Sequence, residues 1–575
     1  MVLDRKVREE ARKFALKNAI DYGKADVGAV LSKVLAADPE LRESVNEVGA
    51  LVKEVVQEVN RMSEASVQKE FDSHAGEFEK REREKQERSA KPKMELEGAV
   101  VGRFATRFAP EPNGYMQLGH AKMAWLGREF ASIYKGTLAL YFDDTNPEKE
   151  KQEYVDSFKK DVEWLGIKVD REYYASDHVA QLYVYAGRLI DDGHAYVCTC
   201  DAEKMKRLRF EGEGCEHRKH SKEKSAELWK KMLEGGFKDG EAVLRIRLDM
   251  KSENTTLRDP VIFRIVDHEH YRQGRRYRVW PTYDFNTPIV DSIEGITDAT
   301  RTKEYELREE LYYKVLDLLK LRKPRMRVIA RLEVKDNITS KRKTNELINE
   351  GLLEGYDDPR LITIAGLRRR GIQPGAVKSF VLRFGMSKTN SWVGMDMLLA
   401  ENRLVIDDIS RRLFLVQEPV EVRITGAPKG LKNVKLNLHP SKDLGQREAS
   451  VSDTLLISGS DAKTLNAGSI FRLKDLFNVR VSKAGKEGIA AEYAGNESVD
   501  APKFQWVDAK KRVRCELMLI GPLLVGEKFN EKSLIRVEAY AEEFVNSLEK
   551  DEIVQFERVG FYKLDDVKHK TFIAL

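Results

Sequence analysis

The part of the sequence that most restricts the fold begins near residue 100, where a strand, a loop, a helix and a second strand are predicted in succession. Residues 103–109 form the first predicted strand, 119–135 the helix and 138–142 the second strand, with Gly136 ending the helix. Two strands joined by a helix run parallel, and the crossover between them is right-handed. This segment therefore predicts an α/β domain built on a parallel sheet.

The remaining hydrophobic patterns divide the 575 residues into several domains, in keeping with roughly 100–200 residues per domain. Helical periodicity and alternating strands occupy different parts of the chain. We predict a multidomain α/β and all-β protein with these segments: a helical N-terminal extension (1–66), a charged linker (67–98), the first half of the parallel-sheet domain (99–192), an inserted domain (193–280), the second half of the parallel-sheet domain (281–338), a loop and helical bundle (339–402), and antiparallel β-barrels (403–575).

The N-terminal extension contains one strongly amphipathic segment. A helix is predicted from Asp38 to Val59, with Asp38 as the cap and Pro39 in the first helical position. Its apolar face is formed by Val45, Val48, Val52, Val55 and Val59. Beyond it, the almost wholly charged run from Glu79 to Arg88 predicts a solvated helix or a mobile linker.

Composition excludes several classes of protein. No run approaches the ~18 apolar residues of a membrane span, and the N-terminus lacks the apolar core of a signal peptide. Four cysteines in 575 residues exclude a disulfide framework, so we expect a cytoplasmic protein in a reducing compartment. The net charge of +5 is weak support for a polyanionic partner, and nothing in the sequence demands more than a monomer.

The loop and helix start between Arg107 and Trp125 (RFAPEPNGYMQLGHAKMAW) carry the first candidate site. The first turn of a helix offers free backbone N–H groups and the positive end of the helix dipole, which suits a phosphate. Gly119 permits close approach of a flat ring or a phosphate, and His120 can donate to a phosphate oxygen. Taken alone, the pattern is also typical of an ordinary capped turn.

A second candidate site is the sequence TSKRK, from Thr339 to Lys343. Ten basic residues lie between Lys320 and Lys343, opposed only by Glu333 and Asp336. Such a run usually marks a solvated charged face. A serine–lysine pair in a loop with adjacent cations also suits a triphosphate, whose charge grows during transfer.

Three of the four cysteines fall within 18 residues, in the pattern C-x-C-x14-C-x-H. Cys198, Cys200, Cys215 and His217 offer four soft or borderline ligands in two close pairs, which suits a tetrahedral structural zinc ion. Ordinary unliganded cysteines are the alternative. Cys515 lies far away in a β segment and is expected in the core.

Together, the first two sites resemble the HIGH and KMSKS signatures of class I aminoacyl-tRNA synthetases. Residues 117–120 (QLGH) stand at the position of HIGH, and 338–342 (ITSKR) at that of KMSKS. Several further segments are similar to the glutamyl/glutaminyl subgroup, and most of all to its archaeal-type glutamyl members: PEPNGYMQLGHAK, YFDDTNPEKE, DVEWLGI, WPTYDFNTPIVDSIEGIT, FQWVDA and QFERVGFY. The resemblance implies a Rossmann-like catalytic domain, an inserted domain that binds the tRNA acceptor end, and β-barrels that read the anticodon.

The resemblance implies a two-step reaction with ATP, Mg²⁺, L-glutamate and tRNA(Glu). The carboxylate of glutamate attacks the α-phosphate of ATP, and the terminal ribose of tRNA then attacks the adenylate. His120 and Lys341 are expected to stabilise the charge of the transition state. Gln117 replaces the first HIGH histidine, and its amide can donate to a phosphate but cannot carry a charge. The expected ATP contacts are Pro110, Gly114, Gly119, His120, Ser340 and Lys341.

The resemblance also implies an amino-acid site. Arg107 and Tyr283 match residues near the amino acid, and Asp143 matches a carboxylate that receives the α-ammonium group. Arg301, 18 positions after Tyr283, stands where glutaminyl enzymes carry a small uncharged residue, so a cation there favours the γ-carboxylate of glutamate. The alternatives are a turn cap for Asp143, a core aromatic for Tyr283, and a surface salt bridge of Arg301 to Asp298 or Glu304.

Contact with RNA is expected to be electrostatic and spread out. The segment GLRRRGIQPG places Arg368, Arg369 and Arg370 at a predicted helix end, where they are candidate contacts to backbone phosphates. A solvated helix end explains each of the three equally well.

Several functions are alternatives to glutamyl transfer to tRNA(Glu). Within the family these are a glutaminyl enzyme, which Arg301 argues against, and a glutamyl enzyme that also charges tRNA(Gln). A nucleotidyltransferase that acts on a small molecule would not need the long C-terminal parts. An inactive tRNA-binding paralogue would be expected to lack His120 or Lys341, and both are present.

Overall fold

The computed structural model describes residues 2–38, 41, 44–72, 94–388, 391–485 and 488–575. The chain divides into two compact units, Met1–Lys91 and Pro92–Leu575. Each unit has a hydrophobic core of its own. Within the described ranges, no helix is both long and apolar enough to cross a membrane.

The described part of the N-terminal unit is helical: α1 (Val2–Tyr22), α2 (Val27–Ala37), α3 (Val45–Asn60) and α4 (Glu64–Asp72). The predicted apolar face of α3 is confirmed, because four of the five valines predicted for it are buried, namely Val48, Val52, Val55 and Val59. Val45 is the exception and is 41% exposed. These valines pack in a core with residues of α1 and α2.

The predicted start of that helix is wrong. The N–H of Asp38 bonds to the carbonyl of Val34, so Asp38 ends α2, and α3 begins only at Val45. Pro39 lies outside the described residues, as does the charged run of residues 79–88.

The strand–helix–strand unit predicted near residue 100 is confirmed, and it opens a parallel sheet. In chain order its elements and those that follow are β1 (Ala105–Phe108), α5 (Leu118–Ile133), β2 (Thr137–Phe142), α6 (Gln152–Trp164), β3 (Arg171–Tyr174) and α7 (Val179–Asp191). The three strands pair in sequence order and in parallel. Loops at the carboxyl ends of such strands are the usual place for a ligand.

Gly136 does not end α5 in the way predicted. The left-handed conformation lies at Lys135, whose φ is 48°, and the helix ends at Ile133. Position 136 requires glycine because a Cβ there would lie 2.1 Å from the carbonyl oxygen of Phe104. The missing side chain lets the chain that leaves α5 pass close to the residue that precedes β1.

An antiparallel domain interrupts the parallel sheet. It contains β4 (Ala195–Cys198), α8 (Ala202–Glu211), α9 (Lys222–Leu233), β5 (Val243–Ile246), β6 (Val261–Ile265) and β7 (Val279–Pro281). The four strands pair in sequence order.

The parallel layer then resumes with α10 (Tyr283–Ile293), β8 (Asp298–Thr302), α11 (Glu309–Leu319), β9 (Arg325–Ile329) and β10 (Leu332–Val334). β8 and β9 are parallel. The N–H of Thr297 donates to the carbonyl of Ala105 at 2.8 Å, which places β8 beside β1. Two distant parts of the sequence therefore bring their strand ends to one edge.

A mainly helical region follows, with α12 (Lys341–Asn349), α13 (Ile364–Arg370), α14 (Pro374–Leu382), β11 (Ser391–Val393) and α15 (Met395–Ile406). β11 pairs with β10 in parallel. Apolar residues of α13, α14 and α15 share one core with α5. This region therefore packs against α5 and supports its first turn.

The C-terminal part holds two barrel-like, seven-stranded sheets. Its elements are β12 (Arg411–Leu413), β13 (Leu415–Gln417), β14 (Val420–Thr425), β15 (Asn433–Asn437), β16 (Gln446–Ser450), β17 (Thr454–Ile457), α16 (Gly459–Ala462), β18 (Ile470–Leu473), β19 (Asn478–Gly485), β20 (Gly488–Tyr493), β21 (Lys503–Phe504), β22 (Val507–Asp508), β23 (Val513–Ile520), β24 (Leu524–Val525), β25 (Lys528–Phe529), β26 (Leu534–Ala541), β27 (Ile553–Phe556), β28 (Gly560–Asp566) and β29 (Thr571–Ala574). The strand order is β12-β27-β28-β29-β23-β26-β13 in one sheet and β21-β18-β19-β20-β14-β17-β22 in the other.

The predicted barrels are correct in type, but they are not purely antiparallel. β12 pairs with β27 in parallel, and so do β23 with β29, β14 with β20, and β18 with β21. Alternating burial marks a strand but carries no information on the direction of its neighbour.

Candidate active site and metal-binding cluster

A cavity of about 410 Å³ opens at the carboxyl ends of β1, β2 and β8. All but one of the residues predicted to bind ATP or the amino acid line it: Arg107, Pro110, Gly114, Gln117, Gly119, His120, Asp143, Tyr283, Arg301 and Lys341. The exception is Ser340, whose hydroxyl caps α12 by accepting from the N–H of Lys343. The two signature segments and the polar residues beyond them thus surround one space.

The first turn of α5 presents an uncharged histidine to the cavity. Nδ1 of His120 accepts a hydrogen bond from the backbone N–H of Gln117 at 3.1 Å, which places the ring proton on Nε2. Burial, and then the charge of Arg331, lowers the pKa of His120 to about 4. At neutral pH the ring therefore offers one N–H donor and no charge.

Gln117 joins the two signature segments. Its Nε2 donates to the carbonyl of Thr339 at 3.1 Å. The amide predicted to face a phosphate is thus engaged with the backbone just before Lys341. This contact ties the start of α5 to the start of α12.

Lys341 reaches back across the cavity to the loop before α5. Its Nζ donates to the carbonyl of Asn113 and lies 4.5 Å from the ring centroid of Tyr154. A Cβ at Gly114 would lie 3.5 Å from Cδ of Lys341, so the lysine stem packs along this loop. Burial lowers the pKa of Lys341.

Two buried arginines share one buried carboxylate in the wall of the cavity. Arg107 and Arg301 are 1% and 6% exposed. Asp291 accepts from Nε and Nη2 of Arg107 at 2.7 and 3.0 Å, and from Nη2 of Arg301 at 3.2 Å. Burial opposes the charge of Arg107, but Asp291 raises the pKa of that arginine above its ordinary value. One negative charge holds two positive charges, and the excess suits an anionic ligand.

Arg301 is not a surface salt-bridge partner. The two acids considered as its partners, Asp298 and Glu304, pair with other arginines. Its guanidinium lies 5.0 Å from the ring centroid of Tyr283. Arg301 is therefore buried beside the cavity, as expected of a cation that binds a ligand.

Two further polar groups bound the cavity near Arg301. The hydroxyl of Tyr283 is buried and has no hydrogen-bond partner among the described residues. A buried hydroxyl without a partner points to a ligand that would bind it. Asp143 accepts from Nδ2 of Asn286 at 2.9 Å, and burial raises its pKa to about 6. It is therefore mainly ionised at neutral pH and can receive a cationic group.

Sequence reasoning missed Asp291 and Lys122. Nζ of Lys122 donates to the carbonyl of Ala330 at 2.9 Å, and burial lowers its pKa to about 8. Both residues had a signal, since each is a charged residue within an apolar stretch. Asp291 also follows Tyr283 by eight positions, which places the two on the same face of α10.

Cys198, Cys200, Cys215 and His217 come together at the end of β4, with their ligand atoms all within 4.8 Å of one another. Sγ of Cys198 lies 3.8 Å from Sγ of Cys215, and Nδ1 of His217 lies 3.7 and 3.4 Å from the sulfurs of Cys198 and Cys200. A tetrahedral zinc ion with bonds of about 2.3 Å to sulfur and about 2.1 Å to nitrogen requires separations of about 3.8 and 3.6 Å. The four residues therefore fit this ion. The other ring nitrogen, Nε2 of His217, lies 3.0 Å from Oγ1 of Thr199, the kind of contact that orients a ligating histidine.

The three arginines at the end of α13 differ in exposure and partners. Arg368 and Arg369 pair with carboxylates from other segments. Arg370 is 7% exposed, and its Nε donates to the carbonyl of Ala574. Burial lowers the pKa of Arg370 to about 10. The predicted phosphate contact of Arg370 is therefore wrong, because its guanidinium faces the interior.

Comparison with known families gives matches over most of this chain. Residues 103–406 match the model described as tRNA synthetases class I (E and Q), catalytic domain. Residues 410–495 and 503–565 match two models of the anti-codon binding domain of the same family.

Several archaeal proteins are similar to the chain over nearly its whole length. The glutamate–tRNA ligase of Nitrosopumilus maritimus is 39% identical over 99% of this chain and 100% of its own. That of Cenarchaeum symbiosum is 40% identical over 98% of each chain. That of Pyrococcus abyssi is 38% identical over 99% of each chain.

Proposed function

Because this chain belongs to the class I tRNA synthetases of the E and Q type, we propose that it is a glutamate–tRNA ligase. In the first step the α-carboxylate of glutamate attacks the α-phosphate of ATP, forming glutamyl-adenylate and releasing pyrophosphate. In the second step a hydroxyl of the terminal ribose of tRNA(Glu) attacks the carbonyl carbon, and AMP leaves. The names of the relatives aligned over nearly the full chain support this proposal.

The phosphate-facing side of the cavity suits the first step. Nε2–H of His120 and the ammonium group of Lys341 are donors for the phosphate oxygens, and the positive end of the helix dipole lies at the start of α5. Mg²⁺ accompanies ATP as part of the substrate. The chain supplies no nucleophile, so its part is to position the reactants and to stabilise the charge that develops on phosphorus.

The opposite side of the cavity suits glutamate. Arg301 and the unpaired hydroxyl of Tyr283 would bind the γ-carboxylate, and Asp143 would receive the α-ammonium group. Arg107 lies behind Arg301 and shares Asp291 with it, so it adds positive charge at this end of the cavity. Glutamine would present a neutral amide to the guanidinium of Arg301, which carries a charge and can only donate.

The observation that carries the assignment is the buried Arg301 beside a hydroxyl that lacks a partner. The test is charging of separate tRNA(Glu) and tRNA(Gln) transcripts with labelled glutamate and labelled glutamine. We expect glutamate on tRNA(Glu). Glutamate on both transcripts would identify a glutamyl enzyme that also charges tRNA(Gln), and glutamine as the preferred amino acid would contradict the proposal.

For the remaining domains we propose roles that follow from the family. The inserted domain holds the acceptor end of tRNA, and residues 410–495 and 503–565 contact the anticodon. Arg368 and Arg369 are proposed contacts to the RNA backbone, although binding must displace or share their present carboxylate partners.

We propose that the cluster of three cysteines and His217 binds one structural Zn²⁺ ion. The ion would fix Cys198 at the end of β4, and Cys200 just after it, to the turn that carries Cys215 and His217. Nothing in the cavity depends on this ion, so its contribution would be to the stability of the inserted domain.

A further inference from the structure

Phe210 is the most exposed large hydrophobic side chain in the described part of the protein, at 85%. It lies in the last turn of α8, a helix in which no residue is buried. An isolated exposed apolar residue needs no explanation, so its setting decides whether it has a function.

The backbone at Phe210 is firmly held. Nη1 of Arg258 donates to the carbonyls of Arg209 and Phe210 at 2.9 and 3.0 Å. In return, Nε of Arg209 donates to the carbonyl of Arg258 at 3.0 Å, and its Nη2 donates to that of Thr255 at 3.0 Å. The ring is therefore presented to solvent by a fixed support, not by a fraying helix end.

The surroundings of the ring are cationic. Lys206 and Arg207 precede Phe210 by about one helical turn on the same exposed face, and the side chain of neither has a partner among the described residues. Nζ of Lys251 lies 3.8 Å from the point that a Cβ of Gly212 would occupy. The guanidinium groups of Arg209 and Arg258 bond to carbonyls, so they add charge without a carboxylate partner. Only two acids lie on this helix, Glu203 and Glu211.

This surface, which comprises Phe210, Lys206, Arg207 and Lys251, lies on the side of the inserted domain that leads to the cavity. Asn254 and Thr256, in the segment that ends at Arg258, donate to the carbonyl of Leu307 at 2.9 and 3.1 Å. Leu307 is 68% exposed and follows Tyr305, which lines the cavity, by two residues.

We propose that Phe210 is a stacking platform for an unpaired nucleotide at the 3′ end of tRNA, and that Lys206, Arg207 and Lys251 contact its phosphates. An exposed aromatic ring among cations that lack partners is the combination that binds single-stranded RNA. An apolar protein partner would bury those cations without compensation, which disfavours that occupant. The inference rests on the proposed function, because it takes tRNA as the ligand.

The test is equilibrium binding of the full-length protein to two transcripts. One is complete tRNA(Glu), and the other lacks the unpaired nucleotides at its 3′ end. Phe210→Ala should weaken binding of the complete transcript about 5- to 100-fold, and binding of the shortened transcript should stay within about twofold of wild type. Phe210→Trp should restore most of the loss. Val184→Ala, which removes another exposed apolar side chain, is the matched control and should change neither value.

Salt dependence gives a second readout. Arg207→Gln should reduce the slope of log K against log salt by roughly 0.7–1 for the complete transcript only. An equal effect of Phe210→Ala on both transcripts, or no effect on either, would overturn the inference. Because wild type is tested for charging in the same preparation, failure of the proposed function would appear as absence of glutamyl-tRNA. Failure of this inference alone would leave wild-type charging intact.

Discussion

Single residues decide the ligand that the cavity accepts, and Arg301 is the residue with the sharpest expected effect. Arg301→Gln removes one charge-assisted donor pair while Asp291 and Tyr283 remain. We expect the ratio of kcat/KM for glutamate to that for glutamine to fall about tenfold or more, because a hydrogen bond to a charged group contributes about 1.5–3 kcal/mol. The KM for ATP should change much less, since Arg301 lies on the glutamate side.

The matched control for Arg301→Gln is Arg171→Gln. Arg171 pairs with Glu294, the residue that follows α10, and does not line the cavity. An unchanged glutamate-to-glutamine ratio in Arg301→Gln would show that this arginine does not bind the γ-carboxylate.

His120 provides a prediction about pH. Its pKa of about 4 in the folded protein lies below the ordinary value of 6.5, with burial as the main cause. Between these values the unfolded chain takes up a proton that the folded chain does not, so this group lowers stability as the pH falls. We expect the free energy of unfolding of wild type, minus that of His120→Gln, to be constant above pH 6.5. Below pH 6.5 this difference should fall, because wild type loses stability and the variant does not. Urea unfolding between about pH 4.5 and 7.5 measures this, and a flat difference would contradict a histidine that is neutral in the folded protein.

At the scale of secondary-structure elements, the first turn of α12 should contribute to catalysis through one residue, Lys341. Lys341→Ala removes the cation that reaches the loop before α5, and we expect kcat for glutamyl-adenylate formation to fall about 100- to 1,000-fold. The affinity for tRNA should stay within about threefold, because Lys341 faces the cavity. Pyrophosphate exchange with tRNA present is the measurement.

Lys343→Ala is the control for this helix start, since Nζ of Lys343 donates to the carbonyl of Glu527 and does not line the cavity. Exchange by Lys341→Ala at nearly the wild-type rate, or an equal loss in Lys343→Ala, would show that the effect is not specific to Lys341.

The stability of the inserted domain near the junction of β4 and α8 should depend on a bound metal ion. We expect one zinc ion per chain in freshly purified wild type, and its loss together with a lower melting temperature in Cys200→Ser. Cys515→Ser changes a buried cysteine that is remote from the cluster, and it should retain the ion. Metal analysis and thermal unfolding are the measurements. Wild type without stoichiometric zinc, prepared in the absence of chelators, would exclude the site.

At the scale of the whole molecule, the active site should function without the N-terminal unit. Every residue that lines the cavity lies in the unit Pro92–Leu575, which has its own cores. A chain of residues 92–575 should therefore fold and keep the KM values for ATP and glutamate within about twofold of the full chain. Circular dichroism and pyrophosphate exchange with tRNA test this. Loss of folding in the shorter chain would show that the two units depend on each other.

The sequence by itself was sufficient wherever the information is local. Three features each occupy a short stretch: the strand–helix–strand unit, the apolar face of α3, and the C-x-C and C-x-H pairs. Within such a stretch, hydrophobic periodicity shows which face is buried, and residue spacing shows which ligands are neighbours. The residues around the cavity were predicted because their local sequences resemble two known signatures and further segments of the glutamyl/glutaminyl subgroup.

Only the tertiary structure decided which charged and polar groups meet. Arg107 and Asp291 are 184 positions apart, and Gln117 and Thr339 are 222 apart. The same holds for Arg370, which a local pattern exposes at a helix end but the C-terminal strand buries. Contacts between residues so far apart in the sequence depend on how separate elements pack. The energy of an ion pair depends on the distance between its charges in space and on the solvent around them. Local sequence spacing encodes neither quantity.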